Sequence, residues 1–188
     1  MADKDTALCL VGVTAIMSHV PHVNENQGIA YLPPVRQETM MRAASSAMGR
    51  EAGRSLLTLA NLITAAAPVA AHWNDSHLFN QRWPSHARFH GVVALAMTST
   101  LAGLNLWSLW SDATDRRASR LFAAAIPVAY WAPFLVAPLV PGTGVDDPPH
   151  PIPRVAGVPT SLLGAAATTL TAVAGWMLDR RAADPANA

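Results

Sequence analysis

The chain has 188 residues, of which 51% are hydrophobic and only 13% are charged, about half the charged fraction of a typical soluble domain. A disordered chain would be polar and highly charged, so this composition excludes that class. The net charge of +1 and the lack of a long basic run in the sequence argue against a nucleic-acid-binding protein. A single cysteine, Cys9, excludes an internal disulfide framework and a cysteine-based zinc site. The composition indicates a membrane protein.

Four long stretches of the sequence carry no charged residue. They are 20 to 25 residues long and cover 55–74, 89–111, 121–145 and 155–178. A helix needs about 20 mostly apolar residues to cross a bilayer, and a buried helix of a soluble protein rarely stays uncharged on every face. We therefore predict an all-α fold, an integral membrane bundle of four transmembrane helices in a domain at 51–179. The predicted helices lie at about 55–73, 87–110, 119–140 and 158–178.

The positive charges alternate between the segments that flank these helices. Ten of the 13 Lys and Arg residues lie before helix 1, between helices 2 and 3, or after helix 4, and three lie in the other two connections. Because cytoplasmic segments are enriched in Lys and Arg, this pattern predicts that both termini are cytoplasmic. The first residues lack the basic start of a secretory signal, and arginine far outnumbers lysine. We expect the inner (plasma) membrane of a bacterium.

The two ends of the chain lie outside the predicted bundle. In the poorly defined segment 1–50, an apolar stretch at 7–20 is too short to span a membrane, and it predicts a short interfacial helix. Alternatively, residues 1–39 precede the true start, because a chain beginning at Met40 would still contain all four predicted spans. Residues 180–188 are polar and are expected to form a disordered tail.

Histidines are concentrated in and beside the two predicted outer connections. Five of the seven lie there, namely His72, His77, His86, His90 and His150. His86 and His90 are four residues apart at the start of helix 2, so both side chains share one helical face. The HExxH motif holds two zinc ligands with the same spacing, although the residues between this pair include no glutamate.

The histidine pair is the predicted catalytic centre, and three interpretations of it remain open. His86 and His90, supported by His77, would act as general acid and base. Alternatively, these three histidines and Asp75 would be ligands of a divalent metal ion such as Zn, Fe or Mn. In the third interpretation, the side chains only form structural hydrogen bonds at the corner between helices 1 and 2.

A stripe of polar residues on helix 1 points toward the same corner. Asn61, Thr64, Pro68 and His72 are spaced by three or four residues and therefore share a face. Together with Trp131 in the middle of helix 3, they are predicted to line a pocket for a lipophilic molecule, with Asn61, Thr64 and Trp131 as binding residues. The alternative is that these polar groups only hold the helices together.

The run 73–90 reads WNDSHLFNQRWPSHARFH and resembles a family of small bacterial and fungal four-helix membrane proteins of unknown function. The signature of that family is approximately WNxTHxFNxxWPxHAxFH, and more distantly the plan is similar to DoxX-like proteins and the sterol-isomerase group. Ser76 stands where the family has threonine, and His72 where it has an acidic residue. The signature positions include His77, Asn80, Trp83, His86 and His90. Our hypothesis is that Asn80 caps or orients the corner, that Trp83 and Pro84 fix the start of helix 2, and that Asn80 and Trp83 belong to the binding site.

These observations favour a small membrane enzyme or binding protein for a lipophilic small molecule, embedded in the lipid bilayer. A structural or accessory membrane protein without catalytic activity is the second hypothesis. A b-type haem or copper protein is the third, and it needs a histidine from another segment because two residues on one helical face cannot bind both sides of a haem.

Overall fold

The computed structural model describes residues 34–112, 115–146 and 150–184. They contain four α-helices that are long and apolar enough to cross a membrane. The helices are α1 (Pro34–His72), α2 (Ser85–Trp110), α3 (Arg116–Val136) and α4 (Thr160–Ala182). A 3₁₀ turn (Ala137–Leu139) continues α3, and the short antiparallel hairpin of β1 (Arg154–Val155) and β2 (Val158–Pro159) precedes α4. The predicted all-α bundle of four spanning helices is confirmed, whereas the interfacial helix predicted at 7–20 lies outside the described residues.

Helix α1 is longer than the sequence analysis predicts. It begins at Pro34, not near residue 55, and contains 39 residues. The added part includes Arg42, Arg50 and Glu51, and Arg54 directly precedes the uncharged run. Arginine, glutamate, alanine and methionine are all good helix formers, so the charges do not end the helix. Counting uncharged residues therefore locates the apolar part of α1 and not its first turn.

The boundaries of α3 and α4 differ from the predicted ones for similar local reasons. The Asp115 carboxylate accepts a hydrogen bond from the backbone N–H of Arg117 at 2.8 Å, and this cap starts α3 three residues early. Residues 180–182, predicted to belong to a disordered tail, form the last turn of α4. Two arginines in that turn suit the negative end of the helix dipole.

Helices that follow one another along the chain run antiparallel, and α1 contacts each of the other three. Five of its residues, Leu57, Ala60, Asn61, Thr64 and Pro68, are almost completely buried. The backbones of α1 and α4 approach closely at Gly53 and Gly175, since a Cβ atom at residue 53 would lie 2.7 Å from the Gly175 carbonyl oxygen. Small residues at such crossings are typical of membrane helix bundles, where close packing replaces the hydrophobic effect between helices.

Two asparagines connect three of the helices in the middle of the bundle. Asn61 Nδ2 on α1 donates to the Ala123 carbonyl of α3 at 2.7 Å. Asn105 Nδ2 on α2 donates to Asn61 Oδ1 and to the Phe122 carbonyl, both at 3.0 Å. The amides thus satisfy one another away from water. The side chain of Asn61, a predicted binding residue, is thus hydrogen-bonded to two other helices.

The two ends of the bundle differ in chemistry. We call the end formed by 72–90, 137–146 and 150–160 the histidine end, and the end formed by 50–54, 108–112, 115–120 and 176–182 the arginine end. At the arginine end, Arg120 of α3 lies 3.1 Å from the buried carboxylate of Asp179 on α4. This ion pair links the last turn of α4 to the first turns of α3.

Candidate functional site

A cavity of about 640 Å³ opens between α1, α3 and α4 at the histidine end. Apolar side chains and prolines form most of its wall, and the ionisable side chains in its described lining are His72 and His77. This volume lies in the range of small-molecule sites, about 300–1,000 Å³. The wall includes Pro68, Ala71, Trp131, Pro133, Phe134, Ile152 and Leu162. The cavity therefore combines an apolar body with two imidazoles.

The Trp131 side chain forms part of the wall, and its indole N–H is hydrogen-bonded to another helix. Its indole Nε1 donates to Thr64 Oγ1 at 2.9 Å, and the Thr64 hydroxyl donates to the Ala60 carbonyl at 2.7 Å. Both side chains are buried. Of the predicted binding residues, Trp131 lines the cavity, while Thr64 lies behind it and fixes the orientation of the indole.

Residues 143–145 and Ile152, from the described parts of the connection between α3 and α4, line one side of the cavity. Thr143 Oγ1 donates to the carbonyl of Ala137 at 2.6 Å, which ties the loop to the 3₁₀ turn. Asp146 Oδ1 accepts from the backbone N–H of Ile152 at 3.0 Å, and the same carboxylate pairs with Arg154. The bond to Asp146 fixes the backbone of Ile152, whose side chain lines the cavity.

The hydrogen bonds of the corner between α1 and α2 select one tautomer of His77. Asn74 Nδ2 donates to the Ala71 carbonyl at 2.8 Å, so Asn74 Oδ1 is the acceptor for the Ser76 hydroxyl at 2.6 Å. A hydroxyl has one proton, and this one is already donated. The contact of 2.8 Å between Ser76 Oγ and His77 Nδ1 therefore requires that Nδ1 carry the proton. Neutral His77 has its lone pair on Nε2.

His72 and His77 pack against each other at the cavity. Their ring centroids are 4.7 Å apart in an edge-to-face arrangement. Apart from the bond between His77 and Ser76, neither ring is hydrogen-bonded to another described residue. The spacing of the stripe on α1 predicts that His72 lies on its face, and His72 does line the cavity, although the resembled family has an acidic residue at this position.

Asn80 and Trp83 shape the corner without lining the cavity. Asn80 Oδ1 accepts from the backbone N–H of Arg82 at 3.0 Å, and the Asn80 carbonyl accepts from the N–H of Trp83 at the same distance. Leu78 anchors the corner to α2, since a Cβ atom at Gly91 would lie 2.9 Å from its Cδ1 atom. The Trp83 ring contacts His77 edge-to-face, with centroids 6.5 Å apart. The backbone N–H of Asn80 donates to the His77 carbonyl at 3.0 Å, so both signature residues contact His77.

His86 and His90 form a separate pair. They lie in the first two turns of α2, both are exposed, and their Nε2 atoms are 3.0 Å apart. Asp75 is exposed on the corner, and His150 is exposed in the loop before β1. In the described parts of the chain, no group of three or more His, Cys, Asp or Glu side chains is placed to hold a metal ion. The four predicted ligands Asp75, His77, His86 and His90 thus do not form one site, although His86 and His90 contact each other.

One polar group of the cavity had no signal in the sequence. Ser161, in the first turn of α4, belongs to the lining, and its Oγ is buried without a hydrogen-bond partner in the described structure. A serine at this position is ordinary in the first turn of a helix, so nothing in the residue pattern marks it. The Ser161 hydroxyl is therefore a further unpaired polar group in the described lining, beside His72 and His77.

The fold and this cavity define a multi-pass membrane protein with an interhelical cavity at one end of the bundle. Residues 56–186 match the sequence model of a family of unknown function, DUF6640. Because the match covers well over half of the chain, the protein belongs to that family. No curated protein and no solved structure shows significant similarity to it. Membership in a family of unknown function is therefore confirmed, and the likeness to DoxX-like proteins stays a prediction.

Proposed function

We propose that the protein binds a lipophilic small molecule in the cavity at the histidine end, with His72 and His77 contacting its polar group. The observation that carries the proposal is the combination of an apolar wall, to which Trp131 and Phe134 contribute, with two adjacent imidazoles. Apolar sites with a few convergent polar groups are typical of small-molecule binding. The bilayer supplies lipophilic ligands to such a cavity.

The hydrogen-bonding state of His77 narrows the ligand class. Its Nε2 is an acceptor in the neutral ring, because Nδ1 donates to Ser76. The matching ligand group is a donor, such as an alcohol, a phenol or an amine. An imidazole oriented by a second polar group is also the arrangement of a general base, so the same contact would draw the proton from a bound hydroxyl. Binding is the function that we propose, and His77 is the residue from which any chemistry would start.

A matched pair of ligands tests this proposal. The protein is purified in an uncharged detergent, and binding of farnesol and of farnesyl methyl ether is followed by tryptophan fluorescence. The two compounds share the apolar chain, but only the alcohol can donate to His77. We expect the alcohol to bind about tenfold more tightly, as one hydrogen bond to an otherwise unpaired group would give. Replacement His77→Phe should remove that preference.

The control variant is His86→Phe, because His86 is exposed on α2 and lies outside the cavity lining. It should keep the preference for the alcohol. Equal binding of the alcohol and the ether to the wild-type protein would refute the donor class, and failure of both compounds and of a sterol to bind would refute the proposal as a whole.

The exposed histidine pair supports a second candidate function. The Nε2 atoms of His86 and His90 converge to 3.0 Å, as the two ligands of one divalent ion would. Further ligands would have to come from outside the described residues. Elemental analysis of the wild-type protein and of the double variant His86→Ala/His90→Ala tests this function. A near-stoichiometric metal that disappears in the variant would establish it, and wild-type protein without metal would leave the pair as a surface contact.

The charge pattern supports a proposal for orientation and location. Both termini would be cytoplasmic, the histidine end would face away from the cytoplasm, and the membrane would be the inner membrane of a bacterium. The support is the alternation of Lys and Arg along the sequence. Labelling of single cysteines placed at Asp75 and at Asp184, in a Cys9→Ser background, tests it. A membrane-impermeant reagent should label the first position and not the second in intact cells.

A further inference from the structure

A second cavity lies at the arginine end, remote from the histidines. Its volume is about 80 Å³, and it lies between α1, the end of α2 and the start of α3. Three arginines, Arg54, Arg116 and Arg120, contribute to its wall, against a single acidic residue, Asp112. The remaining lining includes the hydroxyls of Ser108 and Ser119, which are 2.7 Å apart. The cavity is small and polar, and its wall is positively charged.

Arg54 is the residue whose charge has no counterpart. Its guanidinium stacks on the indole of Trp110, with Cζ 3.6 Å from the ring centroid. Its Nε is buried and has no hydrogen-bond partner, and no described carboxylate pairs with it. A buried donor without an acceptor is unfavourable, and a charged one more so. The Arg54 side chain is therefore held in place by Trp110, while its Nε lacks a hydrogen-bond acceptor among the described residues.

The other two arginines are partly neutralised. Arg120 pairs with Asp179 at 3.1 Å, and Arg116 lies 3.7 Å from Asp112 with both of those side chains largely exposed. An exposed pair of this kind contributes little and can rearrange. Because Asp179 and Asp112 pair with Arg120 and Arg116, the charge of Arg54 stays unbalanced, and the cavity keeps a net positive charge.

We propose that this cavity binds a phosphate group, either of a lipid headgroup or of a small soluble phosphate ester. Guanidinium groups match phosphate oxygens in pairs, and the volume suits one tetrahedral anion but not a larger body. The location supports the choice, because the cavity lies where the apolar stretches of α2 and α3 end. Trp110 at this level is typical of a residue at the membrane–water interface.

Thermal unfolding with different anions tests the site. The protein is purified in an uncharged maltoside detergent and titrated with sodium phosphate, sodium acetate or sodium chloride at equal ionic strength. A second series adds short-chain phosphatidic acid or the matching phosphatidylcholine. We expect a rise in Tm with phosphatidic acid, with inorganic phosphate, or with both, and none with acetate, chloride or phosphatidylcholine. Stabilisation by phosphatidic acid alone identifies a lipid headgroup, and stabilisation by inorganic phosphate, with or without phosphatidic acid, identifies a soluble phosphate.

Two variants separate the site from general positive charge. Arg54→Gln should weaken the apparent phosphate affinity about tenfold, since it removes charged hydrogen bonds. Arg117→Gln, at the same end but outside the lining, should leave that affinity unchanged. If Arg54→Gln does not fold, Arg54→Lys keeps the charge over Trp110 and should weaken binding through loss of the guanidinium fork. Equal stabilisation by acetate, no stabilisation of the wild type, or equal losses in the Arg54 and Arg117 variants would overturn the proposal.

Discussion

Trp131 on α3 donates its indole N–H to the hydroxyl of Thr64 on α1, at 2.9 Å, and both side chains are buried. The wall of the cavity on one helix is thus held by a residue of another helix. Because the Thr64 hydroxyl donates in turn to the Ala60 carbonyl, the bond has a single direction. The shape of the cavity therefore depends on a residue that does not line it.

Replacement Thr64→Val should loosen this wall. Valine has nearly the shape of threonine but cannot accept the indole proton, so Trp131 Nε1 would be left buried and unpaired. We expect a loss of about 1–3 kcal/mol of unfolding free energy. Denaturation in mixed micelles, followed by tryptophan fluorescence, measures it.

The matched control is Thr58→Val, which removes the acceptor of Trp110 Nε1 at an exposed position. Water replaces the lost acceptor there, and the expected loss is smaller than for Thr64→Val. Equal losses in the two variants would show that the Thr64 bond does not stabilise the wall specifically.

The contact between Gly53 and Gly175 predicts intolerance of larger residues. A Cβ atom at Gly53 would lie 2.7 Å from a backbone oxygen and 2.8 Å from a backbone nitrogen, so α1 and α4 would have to separate. Gly53→Ala should destabilise the bundle by about 1–3 kcal/mol, as overpacking does. Gly103→Ala is the control, because nothing surrounds that position within 4 Å. It should be neutral or slightly stabilising, since alanine favours a helix over glycine.

The ion pair between Arg120 and Asp179 predicts that removing one partner lowers the unfolding free energy more than replacing both. Asp179 is only 5% exposed, so Arg120→Met leaves a buried carboxylate without its partner. Breaking such a pair costs about 3–5 kcal/mol, whereas replacing both members by apolar residues is far less harmful. Thermal unfolding of Arg120→Met and of Arg120→Met/Asp179→Leu checks this. A double variant as unstable as the single one would contradict this prediction. The control is Arg116→Met, which should have little effect because Arg116 and its partner Asp112 are exposed.

Ser76 should determine the tautomer of His77. In the wild-type protein, ring nitrogen chemical shifts should show the proton on Nδ1. Ser76→Ala removes the acceptor and should give a mixture of tautomers, with weaker binding of a hydroxyl ligand. Ser76→Thr keeps the hydroxyl, and it introduces the residue that the resembled family has at this position, so the shifts should stay as in the wild type. An unchanged tautomer in Ser76→Ala would contradict the assignment.

The sequence predicted the helices better than the site. Uncharged runs identify membrane-crossing helices because a charge inside a bilayer is unfavourable on every face. They do not mark where a helix starts outside the bilayer, and so α1 was predicted too short. The buried stripe of α1 followed from residue spacing alone, and the interior positions of Asn61, Thr64 and Pro68 agree with it.

The candidate site was harder because spacing gives a shared face but not the direction of that face. His86 and His90 are on one face of α2, as their spacing requires, yet that face is exposed. His77 packs against His72 because Asn74 and Ser76 bend the corner back toward α1. That turn depends on hydrogen bonds between a few short polar side chains, which the residue pattern does not distinguish from an ordinary loop.

The central position of α1 has a consequence for how the protein is made. Of the four helices, α1 is synthesised first, yet the acceptor and donor that satisfy Asn61 lie on α3 and α2, and the glycine opposite Gly53 lies on α4. Until α2 and α3 have been inserted, Asn61 Nδ2 has only the Leu57 carbonyl of its own helix as an acceptor, and Asn61 Oδ1 has no donor. Assembly of the bundle is therefore completed only after translation of α4.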